Sequence, residues 1–185
     1  PKVNDRTDQY SAATLENRLR FTLEVVDAAI ARIGRERVGI RLSPFGQLYD
    51  MPQYDEIEAT YVALVKALGE RGIAYVHVMD QSGYTVGKEG TGETVSDRIH
   101  RLLGEFRKNS PKLALILAGK MTRERADKLI AEGVIDLAGF GQPFISNPDL
   151  VARLRNDWPL TQPDRSTYYG GDSRGLIDYA PYKAA

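Results

Sequence analysis

The stretch from residue 134 to residue 158 has the residue types and spacing of an anion-binding unit. It begins with an apolar run that predicts a buried strand ending at Phe140, and Gly141 follows. Asn147 and Pro148 are favoured at the first positions of a helix, so we expect a helix to begin there. A strand, a glycine that lets a ligand approach the backbone and a helix that points back can together hold an anion at the carboxyl end of the strand.

A second glycine turn, Ala118-Gly119-Lys120, follows the apolar run at residues 113–117. Glycine permits close approach to the backbone, and free N–H groups there can bind an anion. The alternative is that Gly119 and Gly141 are only turn formers, because a glycine after a strand is weak evidence by itself. Both turns are therefore candidate anion-binding segments, and each glycine either admits a ligand to the backbone or only forms the turn.

Two titratable side chains, Arg41 and His77, interrupt apolar runs. An unpaired buried charge is costly, so Arg41 either forms an ion pair with a core carboxylate or contacts a ligand. We expect His77 to be a core histidine with satisfied hydrogen bonds rather than a catalyst, although alternate residues of a barrel strand point inward. No cluster of His, Asp or Glu has the spacing of metal ligands, so we predict no metal site.

Length and composition limit the class of protein. The 185 residues suffice for one domain, and the 42% hydrophobic and 27% charged fractions are typical of a globular chain. Lys+Arg and Asp+Glu number 25 each, so no net field favours a nucleic acid or a membrane surface as a partner. The absence of cysteine and of a signal-peptide pattern predicts a cytoplasmic protein. The chain begins without Met, so we expect it to come from the middle of a longer one.

Strands and helices alternate along the chain, which predicts a parallel sheet built from β-α units. The strands are nearly all apolar, which favours burial on both faces, as in a TIM barrel or a doubly wound sheet. Four such units are half of an eight-stranded barrel. Thr14 and Thr122 are expected helix N-caps, and Arg153 and Arg155 are expected on a solvated helix face. The predicted strands cover residues 37–42, 73–79, 113–117 and 134–140, and the predicted helices cover residues 15–33, 56–68, 93–107 and 122–132, with a fifth from residue 147 and an irregular tail at 159–185.

Several segments, in order, resemble the C-terminal half of the Old Yellow Enzyme family: NDRTDQY, LENRLRFTLEVVDA, RVGIRLSPFG, DLAGFGQPFISNPDLVARL and STYYGGDSRGLIDY. Members of that family are FMN-dependent, NAD(P)H-linked ene-reductases on a TIM barrel. The resemblance covers essentially the whole chain. It implies that residues 1–185 are the C-terminal half of a flavin-binding (β/α)8 barrel, with strands five to eight. It also implies that a separate N-terminal half-barrel chain or a second copy closes the barrel.

The resemblance implies roles for particular residues. Arg41 matches the family arginine that contacts the flavin near N1 and the C2 carbonyl. Tyr169 matches a tyrosine that lines the substrate side of the flavin, although a tail tyrosine that packs on the barrel is an equal alternative. Tyr49 is a further candidate for the substrate pocket. The implied FMN-binding residues are Arg41, Ala118, Gly119, Lys120, Phe140, Gly141 and Gln142.

This chain departs from the family pattern at the position that the resemblance assigns to the phosphate. The family usually has Gly-Arg where this chain has Gly141-Gln142, and the family arginine binds the FMN phosphate. A hydrogen bond to a charged group contributes roughly 1.5–3 kcal/mol, against about 1 kcal/mol for a neutral one. We therefore expect weaker FMN binding unless the charge of Lys120 compensates.

The reaction implied by the resemblance moves hydride from NAD(P)H through FMN to a small electron-poor alkene. In the family, the groups that activate the alkene and donate the proton lie in the N-terminal half, so we predict no catalytic residue in this chain. The alternative hypothesis is a non-catalytic half-barrel scaffold that self-associates without flavin.

Overall fold

The fold is built on one parallel sheet. The computed structural model describes residues 2–47, 51–82, 94–170 and 172–183. The strands are β1 (Gly39–Leu42), β2 (Tyr75–Met79), β3 (Ala114–Ala118) and β4 (Leu137–Gly139). They pair in the order β1-β2-β3-β4, and every pair is parallel. The predicted α/β class with a parallel sheet is therefore confirmed.

Helices precede the first strand, connect the strands and follow the last one. They are α1 (Leu15–Ile33), α2 (Ile57–Arg71), α3 (Val95–Asn109), α4 (Arg123–Ala131), α5 (Gln142–Ser146) and α6 (Leu150–Asn156), with short 3-10 turns at Arg35–Arg37 and Arg165–Thr167. The two predicted caps are confirmed, because the side chains of Thr14 and Thr122 accept hydrogen bonds from the backbone N–H groups of Asn17 and Arg125. In the described ranges, no helix combines the length and the apolar character that crossing a membrane requires.

The helix start predicted at Asn147 is wrong, because α5 lies just before this residue and α6 begins only after Asp149. The Asn147 side chain is fully buried. Its amide donates to the Pro143 carbonyl at 2.8 Å and to the Thr161 carbonyl at 2.9 Å, and its oxygen accepts from the Thr161 N–H at 2.8 Å. Bonds to the tail therefore occupy the side chain that an N-cap would direct to its own helix.

The sheet is covered on one face and open on the other, as far as the described residues extend. On the covered face Val76, Leu115 and Leu117 are buried in the core with the helices. On the open face Tyr75 is 39% exposed and Leu137 is 56% exposed. The expectation of burial on both faces is therefore wrong for the described residues, because every second side chain of a strand lies on the face that none of the described helices covers.

The strand order separates the two architectures that the apolar strands left open. Each strand pairs with its neighbour in sequence, so the order does not reverse. A doubly wound sheet reverses its order at a switch point and carries helices on both faces, whereas a barrel adds its strands in sequence with the helices outside. The sequential order and the single covered face favour barrel-type winding.

Arg153 bonds the tail to α6, so the expectation of a solvated position is wrong for this residue. It is only 3% exposed. Its guanidinium donates to the Asp149 carboxylate at 2.7 Å and to the carbonyl oxygens of Pro159 at 3.1 Å and Ala180 at 3.0 Å. Arg155, on the same helix, is exposed as expected. The burial of Arg153 is possible because its donors reach acceptors on both the helix and the tail.

Arg153→Ala is expected to lower the free energy of unfolding by about 3 kcal/mol, because it removes the charged partner of the Asp149 carboxylate and the donor to two carbonyl groups. Arg155→Ala is the matched control on the same helix and is expected to change it by no more than about 0.5 kcal/mol. Urea unfolding at pH 7 measures both values. Equal effects of the two substitutions would contradict the role given to Arg153.

Candidate functional site

A cavity of about 840 Å³ opens at the carboxyl ends of the strands. Strands β1 to β4 each contribute to its wall, through Arg41, His77, Ala118 and Gly139 in that order. Parallel strands end at one edge of a sheet, so residues far apart in the sequence meet there. All the residues predicted to bind FMN line this one cavity: Arg41, Ala118, Gly119, Lys120, Phe140, Gly141 and Gln142.

Arg41 and His77 are direct neighbours in the register of β1 and β2. Arg41 is exposed at the cavity wall, and in the described ranges it forms no ion pair with a carboxylate. The structural ion pair considered from the sequence is therefore not found among these residues. Its charge is available to a ligand in the cavity.

His77 differs from the satisfied core histidine that the sequence predicts. Its Nε2 atom is buried but has no hydrogen-bond partner in the part of the chain that the structure describes. Burial and, secondly, the charge of Arg41 lower the pKa of His77 below its usual value of 6.5. The imidazole is therefore neutral at neutral pH, and its unpaired nitrogen lies near Gly139 on the cavity wall.

Contact with the end of β2 forces the conformation of the turn at Gly119. Gly119 has φ +104°, and Lys120 follows with φ +46°, so both lie in the left-handed region. A Cβ atom on Gly119 would lie 2.1 Å from the carbonyl oxygen of Asp80. No other residue type fits at position 119, so the role of turn former is sufficient to explain this glycine.

Gly141 differs from Gly119 although both follow a strand. Its φ is −100°, which any residue can adopt, and an added Cβ would meet no described atom within 4 Å. The turn itself therefore does not require glycine at position 141. Open space beside the backbone is what a ligand-binding glycine provides, and Gln142 lines the same part of the cavity at the start of α5.

Asp80 is a charged residue of the site that the sequence did not reveal. It follows β2 directly, lines the cavity and is 1% exposed. Its carboxylate accepts hydrogen bonds from the Ser82 N–H at 3.0 Å, the Ser96 hydroxyl at 2.8 Å and the Arg125 guanidinium at 2.7 Å. Burial raises the pKa of Asp80, but these bonds together lower it by more, so the pKa lies below its usual value of 3.8. The sequence feature that could have indicated Asp80 is a single carboxylate directly after an apolar strand.

The tail adds Arg165 and Tyr168 to the cavity wall, and neither was predicted. Tyr169 is 93% exposed and does not line the cavity, and its ring centroid lies 6.5 Å from that of Tyr168. The substrate-side role of Tyr169 stays a prediction. Tyr49 lies outside the described residues. Within those residues, no group of three or more His, Asp or Glu side chains is placed to hold a metal ion.

Curated proteins similar to this chain include plant reductases. The model of the NADH:flavin oxidoreductase / NADH oxidase family matches residues 1–161. The 12-oxophytodienoate reductase 2 of Arabidopsis thaliana is 39% identical over 182 residues, which are 98% of this chain and 45% of that protein. The 12-oxophytodienoate reductase 1 of Oryza sativa subsp. japonica is 38% identical over 97% of this chain and 44% of its own length.

Solved structures show the same relationship. Morphinone reductase superposes with a TM-score of 0.84 at 40% identity, over 97% of this chain and 45% of that one. The old yellow enzyme from Trypanosoma cruzi superposes with a TM-score of 0.80 at 28% identity, over 96% of this chain and 44% of that one. This chain therefore spans about half the length of the relatives that it matches.

Gly119→Ala is expected to lower the free energy of unfolding by about 3 kcal/mol, because it adds a clash with the Asp80 carbonyl to a left-handed backbone. Gly133 is the matched control, since its φ is +70° but an added Cβ would meet no described atom within 4 Å. Gly133→Ala is expected to cost about 1 kcal/mol. Urea unfolding measures both, and a Gly119→Ala cost no larger than that of the control would show that the contact with β2 is not decisive.

Proposed function

The chain belongs to the Old Yellow Enzyme family, described as the NADH:flavin oxidoreductase / NADH oxidase family, and from this premise we propose that it is the FMN-binding part of an ene-reductase. Bound FMN supplies the hydride transfer from NAD(P)H to a small electron-poor alkene. The observation that carries this function is the convergence of every residue assigned to FMN from the sequence on one cavity.

The cavity fits a large anionic ligand. Its volume of about 840 Å³ lies within the range of roughly 300–1,000 Å³ that is usual for cofactor sites. Arg41, Lys120 and Arg165 line it, whereas the carboxylate of Asp80 is already bonded to Arg125. The positive charge on the wall is thus available to an anionic group such as a phosphate.

Arg41 binds the pyrimidine side of the flavin in this proposal. A guanidinium charge beside the flavin would stabilise it more as its electron density increases, which would be an electrostatic contribution to hydride transfer. The described residues offer Arg41 no carboxylate, and the neighbouring His77 is neutral. The electrostatic effect of Arg41 is therefore directed to the ligand.

The turns at residues 118–120 and 140–142 hold the phosphate group. Gly141 leaves open space beside its backbone, and Lys120 supplies a positive charge to the same cavity. Gln142 donates a neutral hydrogen bond where relatives of this family usually have an arginine. A neutral bond contributes less to binding than a charge-assisted one. In this proposal the positive charge of Lys120 compensates for part of that loss.

The rest of the active site comes from outside this chain. The chain spans about half the length of its relatives, and its sheet leaves one face open, with Tyr75 and Leu137 exposed among the described residues. A complementary N-terminal half-barrel would cover that face and supply the groups that activate the alkene and donate the proton. A second copy of this chain would cover the face but would not supply those groups.

Gln142→Arg is expected to lower the Kd for FMN about fivefold, because a charge-assisted hydrogen bond replaces a neutral one. The measurement is the change of flavin fluorescence on titration with protein. Gln162→Arg makes the same charge change elsewhere in this cavity and is expected to alter the Kd by no more than about twofold. No gain from Gln142→Arg would show that position 142 does not contact the phosphate.

The exposed apolar side chains of the open face favour a second candidate function, a non-catalytic half-barrel that self-associates without flavin. Colour separates the two candidates, and mass tests whether the sheet is closed by pairing. The flavin-binding function predicts a yellow protein, or uptake of added FMN, and the scaffold predicts neither. Both predict a complex with a second chain or a dimer in light scattering, so a monomer at 20.6 kDa would contradict closure of the sheet by pairing.

A further inference from the structure

Arg125 connects the turn at residues 118–120 to the end of β2. Its guanidinium reaches back along the chain, where Nη1 donates to the carbonyl oxygens of Gly119 at 2.9 Å and Lys120 at 3.3 Å. Nη2 donates to Asp80 Oδ2 at 2.7 Å. The hydroxyl of Thr122, the N-cap of α4, accepts the Arg125 N–H at 3.2 Å. The backbone and the side chain of Arg125 are therefore both fixed.

Asp80 anchors this arrangement on the neighbouring strand. Its N–H donates to the Ala118 carbonyl at 2.7 Å, and its carboxylate accepts from Ser82 and from Ser96 of α3 as well as from Arg125. A buried carboxylate is stable only while its partners stay in place, because an uncompensated buried charge is costly. The acceptor that orients Arg125 is thus held by β3 and α3 together.

The direction of the two bonded carbonyl groups determines the direction of the adjoining N–H groups. In a trans peptide the C=O and the N–H point in opposite directions, and the described chain has no cis peptide bond. Since the carbonyls of Gly119 and Lys120 point to Arg125, the N–H groups of Lys120 and Met121 point away from it. Neither N–H group has an acceptor among the described residues, and both residues line the cavity.

The conformation of Lys120 also depends on this contact. A φ of +46° lies in the left-handed region, which is unfavourable for a residue with a side chain. Such a conformation persists only where the surrounding structure determines it. The hydrogen bond from Arg125 to the Lys120 carbonyl is one interaction that does so.

We propose that Asp80 and Arg125, here called the Asp80–Arg125 clamp, are positioning residues that hold the turn at 118–120 in the conformation that binds the phosphate group of the cofactor. This role rests on the proposed function, in which the turn contacts that phosphate. The clamp acts through the turn and takes no part in hydride transfer. It also neutralises a carboxylate that would otherwise repel a phosphate in the same cavity.

A purely structural ion pair would give a different result. Loss of such a pair would weaken the binding of every flavin by a similar factor, because it would disturb the fold as a whole. Loss of the clamp weakens the binding only of those ligands that carry a phosphate. FMN and riboflavin share the ring system and differ in the phosphate group, so the ratio of their Kd values isolates the effect on the turn.

The test measures the Kd of FMN and of riboflavin for the full chain and its variants by flavin fluorescence. Arg125→Leu is expected to raise the Kd for FMN about tenfold and to leave the Kd for riboflavin unchanged. Arg125→Lys keeps a charged donor and is expected to limit the loss to about threefold. Arg123→Leu removes the nearby arginine of α4, which pairs with Asp127 on the surface at 3.7 Å, and is expected to change neither Kd.

The outcomes separate the clamp from the proposed function. A native chain that binds FMN no more tightly than riboflavin would overturn the phosphate assignment, and the clamp with it. A native chain that prefers FMN, with Arg125 variants that change both Kd values by one factor or change neither, would overturn the clamp alone. If Arg125→Leu does not fold, Arg125→Lys decides the matter, because an unchanged preference for FMN in that variant would contradict the clamp.

Discussion

The hydrogen-bonded register of the four parallel strands is the constraint on which the cavity depends. Arg41 lies opposite His77, His77 opposite Ile116 and Ile116 opposite Leu137, so one row of side chains crosses the sheet. A slip of one residue in any strand would turn its part of this row to the face that the helices cover. The register therefore brings the polar residues of separate strands, and the turns that follow them, to one edge of the sheet.

Short-range signals in the sequence predicted the parts of the fold that short-range bonds determine. Thr14 and Thr122 were recognisable as caps because each accepts from an N–H three residues ahead. Asn147 and Arg153 were misjudged because the tail partners that bury them lie 14 and 27 residues further along the chain. The burial pattern of the strands was misjudged for a related reason, since an apolar run does not reveal what covers each face.

The candidate site could be predicted as far as the family resemblance supplied its positions, which converge on one cavity. Asp80 was not found, because its partner Arg125 is 45 residues away and a single carboxylate after a strand is not a motif. Gly119 and Gly141 look alike in the sequence but differ in the structure. The backbone of Asp80 leaves no room for a side chain at position 119, whereas no described atom lies close to position 141. Whether a turn requires glycine depends on its tertiary contacts, which the local sequence does not show.

The bonds that attach the tail near α6 hold both ends of a segment that contributes to the cavity wall. Asn147 holds the backbone of Thr161, and Arg153 holds the carbonyl of Ala180, so the segment between them is attached at both ends. The entropic cost of lengthening such an anchored segment is small, at about 0.6 kcal/mol for each doubling of its length. Insertions, deletions and exchanges around Tyr168 therefore change this part of the cavity wall at little cost to the sheet.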